Sequence, residues 1–188
     1  HRNFIFDLPI EQGETKTYYL RVTTKSSIIF PMEINTLDHF HIKHVKENLL
    51  FGIFYGIMIV MLLYNLFLAI SIQSYSYLFY VLIILGNLLT LSVLNGHAFQ
   101  YAWFDWPWIA HSIMVFGMGL WTASSNLFAR RFLEAPSYSK TYNKVFLSIA
   151  ALGGLLMICS FVLDYEWSLW FGNILLAINC FNLLISEI

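Results

Sequence analysis

From residue 49 onward the chain is a series of long apolar stretches separated by short polar breaks. A helix needs about 20 apolar residues to cross a bilayer. Five stretches reach that length, at residues 49–72, 75–94, 107–128, 145–163 and 168–188. Their apolar character runs right round each predicted helix, unlike the one-sided stripe of a surface helix. Between Asn48 and Ala129 the only formal charge is Asp105. A charge at the bilayer centre costs several kcal/mol, so such an empty run is expected where lipid is the solvent.

Residues 1–47 have a different pattern. They hold Arg2, Lys16, Arg21, Lys25, Lys43 and Lys46 and a matching set of acids. Residues 17–23 alternate, with Tyr18, Leu20 and Val22 on one face and Tyr19, Arg21 and Thr23 on the other, which predicts a strand. Residues 27–30 predict a partner strand, ended by Pro31. One hairpin is not stable alone. Residues 1–36 are therefore expected to be the last strands of a larger β domain, and residues 37–47 a short, charged, helical approach to the membrane. The chain reads as a piece of something longer.

Composition agrees. Hydrophobic residues make up 59% and charged residues 11%, against about 25% charged in soluble domains. A net charge of −1 with no basic stripe excludes a nucleic-acid partner. The connection at 129–144 carries Arg130, Arg131, Lys140 and Lys144, whereas the one at 95–106 has no Lys or Arg. Positive connections stay cytoplasmic. This places the 129–144 connection inside and the N-terminal segment outside. Six aromatics between Gly96 and Trp108 suit an interfacial belt on the outer side.

Candidate chemistry is sparse. Gly52 and Gly56 form a G-x-x-x-G, which lets another helix approach closely, either within the chain or in a homodimer. On this reading Gly56→Leu impairs packing and signalling but not insertion. Tyr64 and Asn65 lie mid-span, as do Asn87, Thr90, Ser124, Ser125, Asn126, Asn173, Asn179 and Asn182. Such groups must find partners inside the bundle. No Asp, Glu, Lys or Arg lies deep in a span, which disfavours a proton- or ion-coupled pump. His39, His41 and His44 lack carboxylate or thiolate ligands at metal-site spacing and read as solvated surface residues. Cys159 and Cys180 read as small buried hydrophobes. No nucleophile–base pair or catalytic motif is visible, so neither enzyme activity nor a cofactor is expected of this chain.

Several motifs recur in a recognisable order. They are Leu50-Phe51-Gly52-Ile53-Phe54-Tyr55-Gly56, Met61-Leu62-Leu63-Tyr64-Asn65-Leu66-Phe67-Leu68 and Ser76-Tyr77-Leu78-Phe79-Tyr80. Asn95-Gly96-His97-Ala98-Phe99-Gln100-Tyr101 with Trp103 follows, then Arg131-Phe132-Leu133. In these the chain resembles the bacterial seven-transmembrane receptors with diverse intracellular signalling modules (7TMR-DISM). Residues 13–22 are similar to the end of the jelly-roll-like extracellular domain that precedes the helices in that family. The resemblance implies an all-α integral-membrane bundle, five spans of seven being present, preceded by the terminal strands of a β-sandwich. It also implies a bacterial inner-membrane location, an extracytoplasmic ligand of carbohydrate-like character, and a cytoplasmic kinase, diguanylate cyclase or similar output module in cis. The expected function is a signalling receptor that relays ligand binding by helix repacking. The alternative is a transporter or channel subunit for a small neutral solute.

Overall fold

The structure, a computed structural model, describes residues 5–6, 8–11, 13–22, 32–101 and 107–186, with the backbone alone for Phe99, Tyr101, Pro107, Trp108 and Tyr138. Among the described residues seven helices follow in order: α1 Leu37–Ile72, α2 Tyr75–Leu94, α3 His97–Tyr101, α4 Pro107–Phe132, α5 Ala135–Tyr138, α6 Lys140–Val162 and α7 Tyr165–Ser186. Each of the five apolar stretches falls on one long helix, and α1, α6 and α7 start before their stretches do. Four of them (α1, α2, α6 and α7) are long and apolar enough to cross a membrane.

The long helices form an up-and-down bundle. α4 lies at its centre, packed against α2 and α6 as antiparallel neighbours and against α7 as a parallel one. α1 lies at the edge, against α2, and none of its residues is buried. This arrangement explains why α4 is the least apolar long helix. At 26 residues it is about 39 Å long, ample for a bilayer. Its surface meets protein on several sides, so Thr122, Ser124, Ser125 and Asn126 can be buried there. The outer helices present Leu, Ile, Phe and Trp outward, as at Phe67, Trp170 and Phe181.

One end of the bundle carries the α2–α3 turn, the start of α4 and the α6–α7 turn; it is called here the Asn95 end. From there to mid-bundle, Ala110, Met114, Val115 and Met118 of α4 pack with Val93, Ile149, Leu156 and Leu175. The Arg131 end holds a smaller cluster of Ala129, Ala135 and Phe146, with Leu183 against it. Gly96 has φ +75°, a left-handed conformation that glycine adopts without strain, and it turns the chain from α2 into α3.

The approach at 37–47 is helical, as expected, and is continuous with the first span: α1 starts at Leu37, with the Thr36 hydroxyl accepting from the His39 amide, and runs on unbroken. No Gly or Pro between Leu37 and Phe51 stops it. Two expectations need correction. The basic connection at 129–144 is largely helical. Arg130 and Arg131 form the last turn of α4, where cations complement the helix C-terminus, and Lys140 opens α6. Finally, no β-strand is present among the described residues. Residues 17–22 carry no ladder. A ladder needs a neighbour, and the predicted partner at 27–30 lies outside the described residues, as does Thr23. The turn expected at Gln12-Gly13-Glu14 is found at Gly13 and Glu14, with the Glu14 amide donating to the Glu11 carbonyl over 3.1 Å.

Candidate functional site

Between α4 and α7, toward the Arg131 end, four polar side chains clasp one another. Asn126 Nδ2 donates to Asn179 Oδ1 over 2.7 Å and to the Thr122 carbonyl over 2.8 Å. Asn179 Nδ2 donates to Ser125 Oγ over 3.1 Å, and Asn182 Nδ2 donates to Asn126 Oδ1 over 3.2 Å. Asn126 and Asn179 are 0% exposed. The spacing explains the convergence. Ser125 and Asn126 lie three and four residues after Thr122 and so flank it on one side of α4, and Asn179 and Asn182 lie three apart on one face of α7. The Thr122 hydroxyl, also 0% exposed, has no hydrogen-bond partner among the described residues. The clasp contains no ionisable group. It can be made and broken, but at neutral pH it neither binds nor releases a proton.

Two glycine pairs hold α4 in place. A Cβ on Gly86 of α2 would lie 2.8 Å from the Gly117 carbonyl oxygen, and one on Gly117 would lie 2.9 Å from the Gly86 carbonyl oxygen. On another side of α4, a Cβ on Gly119 would lie 2.7 Å from the Gly153 carbonyl oxygen, and one on Gly153 would lie 2.9 Å from that of Gly119. Residues two apart on a helix point about 200° apart. Gly117 and Gly119 therefore admit α2 and α6 to opposite sides of one helix. Lipid tails are as apolar as leucine, so close van der Waals approach is what draws such helices together.

At the Asn95 end, Asn95 Nδ2 donates to the Tyr55 hydroxyl over 3.1 Å, and that hydroxyl donates to the Leu91 carbonyl over 3.2 Å. The His97 ring sits edge-on to Phe51 and Tyr55, with centroids 5.0 and 5.3 Å away. These contacts tie the edge helix α1 to the α2–α3 turn. His111 stacks on Tyr165 at 4.4 Å, joining α4 to the start of α7.

The bundle thus consists of a central helix gripped by glycines, clasped to α7 by amides, and latched at one end to α1. A family model described as 7TM diverse intracellular signalling matches residues 47–188. The chain belongs to this family. A second model, described as 7TMR-DISM extracellular 2, matches residues 1–36 of the same 7TMR-DISM chain. No curated protein matches it, and no solved structure does. It is a multi-pass membrane protein of a signalling-receptor family.

In this 7TMR-DISM chain the residues singled out by sequence are distributed unevenly. Gly52 and Gly56 have nothing within 4 Å of an added Cβ, so they pack on no helix among the described residues. Asn65 donates to the Met61 carbonyl of its own helix over 2.8 Å, and Tyr64 is exposed. Asn95 is in the latch, Gly96 makes the turn, and the Gln100 amide donates to the Gly96 carbonyl over 3.2 Å. The Phe99 side chain and all of Trp103 lie outside the described residues. Arg130 Nε donates to Asn143 Oδ1, and the Arg131 guanidinium lies over the Tyr75 ring at 5.1 Å. Lys140 and Lys144 are exposed on α6. His44 Nδ1 is 3.0 Å from Asn48 Nδ2, and the Phe40 ring packs on His41 and His44. The glycine pairs escaped sequence reasoning, although Gly117-Met118-Gly119 in an apolar helix was a signal for them.

Proposed function

We propose that this protein is the membrane core of a receptor that senses a ligand on the extracytoplasmic side and relays the event by repacking α4 against α7. The observation that carries this reading is the Asn126–Asn179 clasp, whose partners are neutral, buried and held only by hydrogen bonds. Ligand binding shifts an equilibrium only if the ligand contacts the two arrangements unequally. A clasp of this kind supplies two discrete arrangements, engaged and slipped, differing by about 1–2 kcal/mol. The Arg131 end, with Arg130, Arg131, Lys140 and Lys144, faces the cytoplasm of a bacterial cell, and the N-terminal segment lies outside. A ligand of carbohydrate-like character then acts on that outer segment or on the Asn95 end of the bundle. The clasp lies toward the opposite end, beside the place where a cytoplasmic output module would connect.

The test is made on the full-length receptor in liposomes, with spin labels at Phe132 of α4 and Ser186 of α7. A panel of neutral mono- and disaccharides is added outside, and both label distance and solute uptake are measured. A shift in distance without uptake supports the receptor. Uptake of the sugar without a shift overturns it in favour of a transporter, and no response from the whole panel overturns the carbohydrate-like ligand.

A further inference from the structure

A cleft of about 470 Å³ runs along α6 at the Arg131 end, lined by Lys140, Thr141, Lys144, Val145, Ser148 and Ile149. Lys140, Lys144 and Ser148 succeed one another at four-residue spacing, each about 6 Å further along the helix. The lining therefore changes along the helix, from the two ammonium groups and the Thr141 hydroxyl to Val145, Ser148 and Ile149, about 1.5–7.5 Å beyond Lys144. Neither lysine has a carboxylate within 4 Å among the described residues, for the ion pairs there are Lys16–Glu14 and Lys43–Glu33.

A second cleft nearby, of about 320 Å³, makes an instructive contrast. It contains Arg130 and Arg131 but also Glu134. Its cations are already engaged, Arg130 by Asn143 and Arg131 by the Tyr75 ring. The α6 cleft alone of these two combines unpaired cations, hydroxyl groups and an apolar floor.

We propose that the α6 cleft binds the headgroup of an anionic phospholipid, with the phosphate between Lys140 and Lys144. In this position headgroup hydroxyls reach Thr141, and an acyl chain descends past Val145 and Ile149. A zwitterionic lipid offers the same phosphate but brings its own cation, which the two lysines repel. Basic pockets of this kind beside transmembrane helices suit anionic headgroups, at about 1 kcal/mol per Lys near the surface. The site needs only that α6 crosses the bilayer, and it is independent of the receptor mechanism proposed above.

The experiment is native mass spectrometry of the full chain in mild detergent, offered phosphatidylglycerol and phosphatidylcholine in equal amounts. Phosphatidylglycerol should be retained in preference, and the Lys140→Gln/Lys144→Gln variant should retain it about 30-fold more weakly. The Lys140→Arg/Lys144→Arg variant should keep it. Both lysines are exposed on the helix surface, and unchanged circular dichroism would establish that the variants fold. Equal retention of the two lipids, or retention unaffected by the glutamines, would overturn the proposal. Displacement of the lipid by millimolar inorganic phosphate would also overturn it, pointing to a soluble anion instead.

Discussion

Asn126 and Asn179 lie 53 residues apart in sequence and bond side chain to side chain across the α4–α7 interface at 2.7 Å. Each is also tied to a further group, Asn126 to the Thr122 carbonyl and Asn179 to Ser125. Removing either amide strands its partner in a place that water does not reach, so the two substitutions are expected to be strongly non-additive. Asn126→Leu and Asn179→Leu should each destabilise the bundle by about 1–2 kcal/mol, and the double variant should fall short of the sum by about 1 kcal/mol. Unfolding in mixed detergent micelles measures all three. Simple additivity would mean that the two amides act separately.

The glycine contacts predict a sharp positional contrast. Gly119→Ala places a methyl 2.7 Å from the Gly153 carbonyl oxygen, closer than real Cβ contacts come, so α6 must move outward. A cost of about 1–3 kcal/mol follows from overpacking of this kind. Gly154→Ala, next to the contact but facing open space, should leave the melting temperature unchanged. Gly56→Leu should do the same, because nothing lies within 4 Å of a Cβ there. A signalling defect in Gly56→Leu with normal melting would place the contact of Gly56 outside this chain.

Thr122 offers a test in the stabilising direction. Its buried hydroxyl has no partner among the described residues, and an unsatisfied buried polar group costs about 1–3 kcal/mol. Thr122→Val keeps the branched shape and should raise stability by about 1 kcal/mol. Destabilisation by a similar amount would show that the hydroxyl is bonded in the membrane.

Acid should loosen the start of α1. Lys43, hydrogen-bonded to Glu33, is the main reason the Glu33 carboxyl titrates below its ordinary value of 4.5, with Asn35 assisting. A depressed carboxyl pKa contributes stability that is present above the unfolded value and is lost as pH falls through the folded one. Hydrogen exchange at His39 and Phe40, whose amides bond to Thr36, should therefore be flat, after correction for intrinsic rates, from neutral pH down to about 4.5 and should accelerate below that. Both groups are solvent-exposed, so added salt should weaken the effect. A Lys43→Met variant that kept the same profile would rule out the pair as its cause.

The long helices were legible because a 20-residue apolar run has few other interpretations. Ser125, Asn126, Asn179 and Asn182 were legible as polar groups in need of partners, and they found each other. Which residue would pair with which was not legible, because pairing depends on the rotation of α4 against α7. The glycines show the same limit more clearly. Gly52 and Gly56 have the motif spacing and face open space, whereas Gly86, Gly117, Gly119 and Gly153 lack that spacing and make the close contacts. A G-x-x-x-G describes one helix, but close approach belongs to two. The region at 129–144 misled because its charges resemble a loop, yet Arg130 and Arg131 are well placed at the end of a helix.

The unbroken course of α1 has a mechanical consequence. Its 36 residues span about 54 Å, against about 30 Å of hydrocarbon. Residues 37–48, about 18 Å of rod, precede the apolar stretch, and no glycine or proline interrupts them. The rod has no glycine or proline hinge between Leu37 and Phe51. Torsion applied at Thr36 is transmitted along a stiff shaft to Tyr55, where the bond to Asn95 hands it on to the neighbouring helices. Residues 37–48 and the first span therefore turn as one body.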